Sequence, residues 1–221
     1  MPRIASLSIL SPSSILLLVA SLSACDSGPT PATNDTPAVP ISQEASLVAG
    51  CNSCHDANGM RRNLDVPFIA GQHSTYLESA MRAYLVGDRQ HPIMRAAVFD
   101  LEVSERHQLA EHFAKLDSVW KIKASNTQAT SKQNNKHDIV AGQALSKPCA
   151  DCHGKDGNSI KEGVPSLAGL QPEYFIPALK SYLQGQRRGA AIMKNFKLSL
   201  SERDIKQLAA FFAAQKRQRS P

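Results

Sequence analysis

The sequence predicts an all-α protein of two tandem domains that share one fold, and three observations carry that expectation. First, the chain repeats itself. Cys51-Asn-Ser-Cys54-His55 returns as Cys149-Ala-Asp-Cys152-His153, and Val66-Pro67-x-x-Ala70-Gly71 as Val164-Pro165-x-x-Ala168-Gly169, both at an offset of 98. Tyr76, Tyr84, Gly87 and Arg89 match Tyr174, Tyr182, Gly185 and Arg187 at the same offset. After one inserted residue, Met94, Leu109, Ala110 and Phe113 match Met193, Leu208, Ala209 and Phe212 at 99. Ordered correspondences with a single one-residue shift mark a duplication. Second, apolar residues in each copy return at helical spacing, while alternation of period two is scarce. Third, 221 residues suffice for two domains of about 100 residues each.

The elements follow in chain order. The amino terminus reads as an export signal, with Arg3 as the positive start and Ile15–Ala20 as the apolar stretch. Leu22-Ser23-Ala24-Cys25 suits an ordinary cleavage site poorly but is similar to the lipobox of bacterial lipoproteins. That likeness implies a signal over 1–24, an acylated Cys25 and, with Asp26 next, retention at an inner membrane; the alternative is a soluble exported protein with a spare thiol. Residues 25–43, rich in Pro, Thr and Ser, read as a flexible tether. The first domain is expected over 44–120, a polar linker over 121–137 and the second domain over 138–221. Tyr76 to Gly87 and Tyr174 to Gly185 read as middle helices ending at a glycine, with Pro177 within the first turn or so of its helix. Leu101, Leu109, Phe113 and Leu116, and later Leu208, Phe211 and Phe212, mark the last helix of each domain. Ser201-Glu-Arg-Asp204 reads as a capping box opening the second of these. The helix preceding Cys51 lies about six residues nearer its motif than the counterpart preceding Cys149. Each domain has few apolar residues for its length, so something else should fill its core.

Composition narrows the classes of function. With 20% charged residues, 5% aromatic and a mean hydropathy of −0.26, the chain does not read as a multi-span membrane protein. Ile15–Ala20 is an uninterrupted apolar run far short of the roughly 20 residues that cross a bilayer, and no other run in the chain approaches that length. Five cysteines, an odd count, argue against a plain disulfide framework.

The chemistry resides in the two Cys-x-x-Cys-His motifs. Thiols three residues apart add to the two vinyl groups of one haem, and the adjoining His55 or His153 then serves as an axial ligand to iron. A zinc site would bring two Cys-x-x-Cys pairs within about 15–20 residues of each other. A thioredoxin-like pair would need a βαβ setting, and simple disulfides leave both histidines without a role. Cys51, Cys54, Cys149 and Cys152 are therefore the expected covalent attachment points of two haem c groups. Among the methionines beyond the signal, Met94 and Met193 alone occupy equivalent places, 39 and 40 residues after their histidines. Each is expected in a non-helical strap just before the last helix, as the second axial ligand. His91 is the competitor in the first domain, and Met81 reads as core filler on a helix.

The doubled motif, the Val-Pro-x-x-Ala-Gly-Gln-His-x-x-Tyr run at 66–76 and the Tyr-x-x-Gly-x-Arg segments resemble the two-domain bacterial class I cytochromes c, of the diheme cytochrome c-four type. The resemblance covers about 44–120 and 138–215. It implies two class I cytochrome c domains packed about a pseudo-twofold, each with a low-spin His/Met haem. It also implies Pro67 and Pro165 carbonyls held by the ligating histidines, and Arg89, Arg187, Tyr84 and Tyr182 near haem propionates. Asp56 stands where the second repeat has Gly154, a departure in the loop beside the first haem.

With both axial positions filled, such sites transfer single electrons and perform no bond chemistry. The expected function is a membrane-anchored electron carrier between respiratory donors and a terminal acceptor, on the periplasmic side of the inner membrane. The alternative is a diheme subunit bound to a dehydrogenase, flavocytochrome or alcohol-oxidising. No enzymatic role is expected, because a diheme peroxidase needs an open or displaceable ligand and both methionines are present. Residues 44–120 carry ten acidic against seven basic side chains, and residues 138–221 thirteen basic against seven acidic, so the halves can dock different redox partners. Nucleic acid is not implied. Lys216, Arg217 and Arg219 read as a frayed basic tail.

Overall fold

The computed structural model describes residues 41–60, 63, 65–117, 132–188, 193 and 199–220. The signal, Cys25 and most of the tether and linker fall outside the described residues. Among the described residues there is no strand, and no helix is long and apolar enough to cross a membrane.

The first repeat folds as α1 (Ile41–His55), α2 (Ser74–Leu85), α3 (Pro92–Phe99) and α4 (Val103–Lys115). The second folds as α5 (Lys132–Leu145), a 3₁₀ turn (Lys147–Cys149), α6 (Ala150–His153), α7 (Pro172–Leu183) and α8 (Glu202–Ala213). Both lie within one compact unit, Val39–Pro221. The duplication is visible in the packing: Leu109, Ala110 and Phe113 of α4 are buried, as are Leu208, Ala209 and Phe212 of α8. Val48 and Leu77 complete the first core; Leu170, Phe175 and Phe211 join the second, to which the first repeat also contributes Phe68. Full burial of each such side chain is worth about 1.5–3 kcal/mol. The loop between motif and middle helix is also duplicated. The Gly59 carbonyl accepts from the N–H groups of Ile69 and Ala70, and the Gly157 carbonyl from those of Leu167 and Ala168.

The capping box forms as read, with Ser201 and Asp204 exchanging hydrogen bonds at the start of α8. α2 and α7 end just before Gly87 and Gly185, which take φ of 77° and 69°. Four readings need correction. Neither Met94 nor Met193 is in a non-helical strap: both are helical, and Met94 lies in the first turn of α3, because His91 caps that helix and Pro92 starts it with its φ already set. Pro177 is in the second turn of α7, where it removes the bond to the Glu173 carbonyl, since Pro172 and not Tyr174 opens the helix. Ile41 and Lys132 start helices inside stretches read as tether and linker, because apolar periodicity says little about polar first turns. The tail is not frayed: Arg217 is 2% exposed and Ser220 8%.

The two repeats differ at the entry helix. α1 runs straight through Cys51, Cys54 and His55, whereas α5 stops before its motif and a 3₁₀ turn leads into α6. α5 therefore crosses α8 closely. A Cβ on Gly142 would stand 2.0 Å from the Gln207 carbonyl oxygen, while one on Gly50 of α1 would meet open space.

Candidate haem-attachment sites

Each motif lies at the end of a helix and against a core. Cys51 packs on the first apolar cluster and Cys149 on the second. None of the four motif cysteines is paired in a disulfide. Burial, and secondarily the neighbouring thiol, pushes Cys51 up and Cys149 up to about 11, so neither environment favours a thiolate.

The histidines share one geometry. His55 Nδ1 lies 3.0 Å from the Pro67 carbonyl oxygen and His153 Nδ1 2.8 Å from that of Pro165. A carbonyl only accepts, so in both rings Nδ1 carries the proton and Nε2 keeps its lone pair. Both side chains are 7% exposed, and burial holds both below the ordinary histidine value against the opposing effect of the proline carbonyls. A neutral, oriented imidazole with a free Nε2 is what an axial ligand requires.

Met94 and Met193 are both half-buried and helical. The competitor His91 is committed differently: its Nδ1 accepts the Met94 N–H at 3.2 Å, which places the ring proton on Nε2. The interface of the two repeats holds a further cluster. Arg89 (9% exposed) donates through Nη2 to the Tyr76 hydroxyl at 3.1 Å and lies over the Tyr76 and Tyr84 rings at 5.3 and 5.5 Å. Arg187 (8% exposed) lies over Tyr182 at 4.7 Å. Burial alone would raise the Tyr76 phenol, but Arg89 and then Arg187 bring it down to about 8. Among the described residues neither guanidinium pairs with a carboxylate, and Arg187 Nε has no partner. Two buried cations facing no anion fit an anionic group entering between the repeats, and haem carries two propionates. No three His, Cys, Asp or Glu side chains among the described residues gather to hold a metal ion unaided.

The sequence reading missed the seam. Gln72 Nε2 donates to the Ser166 carbonyl and Ser166 N–H to Gln72 Oε1, both at 2.9 Å, and His73 Nε2 lies 3.2 Å from the Ser159 carbonyl. The Gln171 side chain donates to the Val66 carbonyl, and Arg188 N–H to that of Asp88 at 2.9 Å. The available signal was that Gln72 is polar where the second repeat has Leu170.

Two helical repeats, each presenting a thiol pair and an oriented imidazole beside a small core, define a c-type cytochrome. The cytochrome c family model matches residues 139–216. The chain is 36% identical to cytochrome c-554(548) of Halomonas halodenitrificans over 80 residues, 35% of this chain and 96% of that protein. It is 38% identical to cytochrome c4 of Pseudomonas aeruginosa over 79 residues, covering 36% of this chain but 39% of that relative. Among solved structures, reduced recombinant cytochrome c4 from Pseudomonas stutzeri shares the fold, with a TM-score of 0.66 over 80% of this chain and all of that one at 20% identity. Thiosulfate dehydrogenase (TsdBA) from Marichromatium purpuratum gives a TM-score of 0.66 at 26% identity over 80% of this chain and 40% of that one. The chain belongs to the cytochrome c family, which binds haem c covalently, and its two tandem class I domains share the fold of cytochrome c4.

Proposed function

We propose that the chain is a diheme electron carrier, with one haem c on Cys51 and Cys54 and a second on Cys149 and Cys152. One observation carries this reading: the same His-to-proline-carbonyl bond, at 3.0 and 2.8 Å, stands behind both motifs. The bonds fix each ring's tautomer and keep Nε2 of His55 and His153 directed for ligation. Met94 and Met193 are the second ligands, and their thioethers favour the reduced state. Arg89 and Arg187, with the Tyr76, Tyr84 and Tyr182 rings, hold the propionates between the repeats. A haem held by these residues would supply a one-electron change of oxidation state. Export, a lipid on Cys25 and residence on the periplasmic side of the inner membrane complete the reading, with a respiratory donor and a terminal acceptor as partners. The second reading, a subunit bound to a dehydrogenase, draws on the similarity to thiosulfate dehydrogenase (TsdBA).

The test is an oxidised and a reduced absorption spectrum of the mature protein, calibrated by haem content. Two covalent haems per chain, each with the far-red sulfur-to-iron band and neither binding carbon monoxide, are expected. Met94→Ala and Met193→Ala should each remove one such band, lower that haem's potential and admit carbon monoxide. Unchanged potentials and no carbon monoxide binding would overturn the ligand assignment. A catalytic chain that co-purifies in fixed ratio would favour the second reading.

A further inference from the structure

We propose that the C-terminal segment Lys216–Ser220 is a clasp between the two repeats, with Arg217 as its positioning residue. This rests on the diheme reading: by fixing the repeats, the clasp fixes the arrangement through which one haem is oxidised as the other is reduced. The Arg217 guanidinium donates through Nη2 to the Ala70 carbonyl at 3.2 Å and through Nη1 to the Ala168 carbonyl at 3.4 Å. Ala70 and Ala168 are the same position of the two repeats. A single side chain thus binds the equivalent carbonyl of each copy. Its guanidinium also lies 5.3 Å from the centre of the Phe68 ring, on the first repeat.

The neighbouring residues reach both ways. Ser220 N–H donates to the Gly71 carbonyl at 2.8 Å and its hydroxyl lies 3.3 Å from that of Ser166. Arg219 Nη1 donates to the Lys115 carbonyl at 3.3 Å, across to the first repeat. On the second repeat Asn158 grips the tail from both sides, donating to the Lys216 carbonyl at 2.9 Å and accepting from Gln218 N–H at 2.8 Å. The segment has no counterpart in the first repeat. At the 99-residue offset stands Asp117-Ser118-Val119-Trp120-Lys121, which leads toward the second domain and contains no arginine.

Physical cost points the same way. Burial lowers Arg217 to about 10, with Tyr76 opposing, and its Nε has no partner. A guanidinium in contact with the second repeat alone would have only the Ala168 carbonyl, and desolvating it there would be a net loss. Closure of the seam adds the Ala70 carbonyl and the face of Phe68, so the charge is tolerated only when both halves are in place.

Hydrogen exchange on the full reduced holoprotein, read residue by residue by NMR, separates a clasp from a simple stabiliser of the second repeat. The Ser166 and Arg188 amides bond across the seam, to Gln72 and Asp88. The Leu167, Gly169 and Gly71 amides bond within their own repeats, to Gly157, Phe212 and Phe113. In Arg217→Ala the two seam amides should exchange roughly ten- to a hundredfold faster, the loss expected for charge-assisted bonds, with the three internal amides unchanged. Arg217→Lys should restore part of the protection. Equal acceleration of all five, or unchanged seam amides, would overturn the clasp. Should Arg217→Ala fail to fold, a chain ending at Gln218 keeps the Gln218 N–H bond to Asn158, loses the Ser220 and Arg219 bonds alone and must loosen the same two amides. Haem content and spectrum on the same sample keep the two claims apart. A single haem per chain would end the diheme reading and leave the exchange result standing. An inter-haem transfer rate unchanged while the seam loosens would overturn the clasp's role in electron passage.

Discussion

Asp56 takes φ of +64°, the one non-glycine in the left-handed region among the described residues, directly after His55 ends α1. Side chains with a Cβ are disfavoured there, and aspartate tolerates the region because its carboxylate bonds locally, here accepting from Ala57 N–H at 2.7 Å. Asp56→Gly should therefore stabilise the protein by about 0.5–1 kcal/mol in urea unfolding, the conformational gain exceeding the loss of one exposed local bond. The equivalent Gly154 has no such latitude. Its φ of 81° with ψ of 155° is open to glycine alone, and a Cβ would lie 2.3 Å from the Asn158 carbonyl oxygen. Gly154→Ala should cost about 3 kcal/mol or more in the same measurement. The difference between residues 56 and 154 was visible in the sequence, but its direction was not, because φ and the nearby carbonyl exist only in the folded loop. The two Cys-x-x-Cys-His motifs stood out in the sequence, since two thiols and an imidazole at fixed spacing point to a chemistry without a fold. Arg217 was illegible for the opposite reason, as nothing in a basic tail announces two carbonyls 98 residues apart.

At the scale of elements, the entry helices decide how similar the two halves are. The middle and last helices were readable because their apolar positions recur at helical spacing and their ends carry glycine or a capping box. α3 was not, because its side chains are mostly exposed and only Val98 is buried, so no apolar stripe marks it. Its signal was the local pair His91-Pro92, which caps and starts it. Removing the cap with His91→Ala should cost about 1 kcal/mol. The outcome to measure is the thermal midpoint, together with any change at the haem that Met94 is proposed to serve. The α5–α8 crossing yields a sharper contrast. Gly142→Ala would push a Cβ into the Gln207 backbone, and rigid helices separate only at the expense of the Leu208 and Phe211 packing, so several kcal/mol should be lost. Gly50→Ala, facing open space in the interior of α1, should instead gain about 0.5–1 kcal/mol. Opposite signs in parallel unfolding experiments would confirm that the two entry helices have diverged in packing; a loss at both positions would show α1 crossing α4 as closely as α5 crosses α8.

At the scale of the molecule, duplication produced an interface that is symmetric in place and asymmetric in chemistry. Phe68 and Ser166 are equivalent positions, as are Gln72 and Leu170. Phe68 and Leu170 lie in one apolar cluster, while Gln72 and Ser166 exchange two hydrogen bonds. Exchanging partners, first repeat with first or second with second, would set Phe68 beside Gln72 or Ser166 beside Leu170 and leave polar groups unpaired. The seam therefore favours one repeat of each kind, and it also gathers charge. Arg187→Gln removes one of the buried cations beside the proposed propionates, and the oxidised haem, more positive by one charge, gains most from that loss. The potential of the affected haem should fall by about 1 kcal/mol, roughly 40 mV for one electron, as voltammetry would record. The polar pair gives the corresponding test of stability. Gln72→Leu leaves the Ser166 N–H and carbonyl, in a fully buried residue, facing a methyl group where both had partners. The expected loss is about 2–3 kcal/mol. Because neither repeat's own core is touched, the loss falls on the coupling between them, and the thermal transition should broaden as the halves begin to unfold separately. A single transition lowered without broadening would mean that Gln72 supports the first repeat and not the seam.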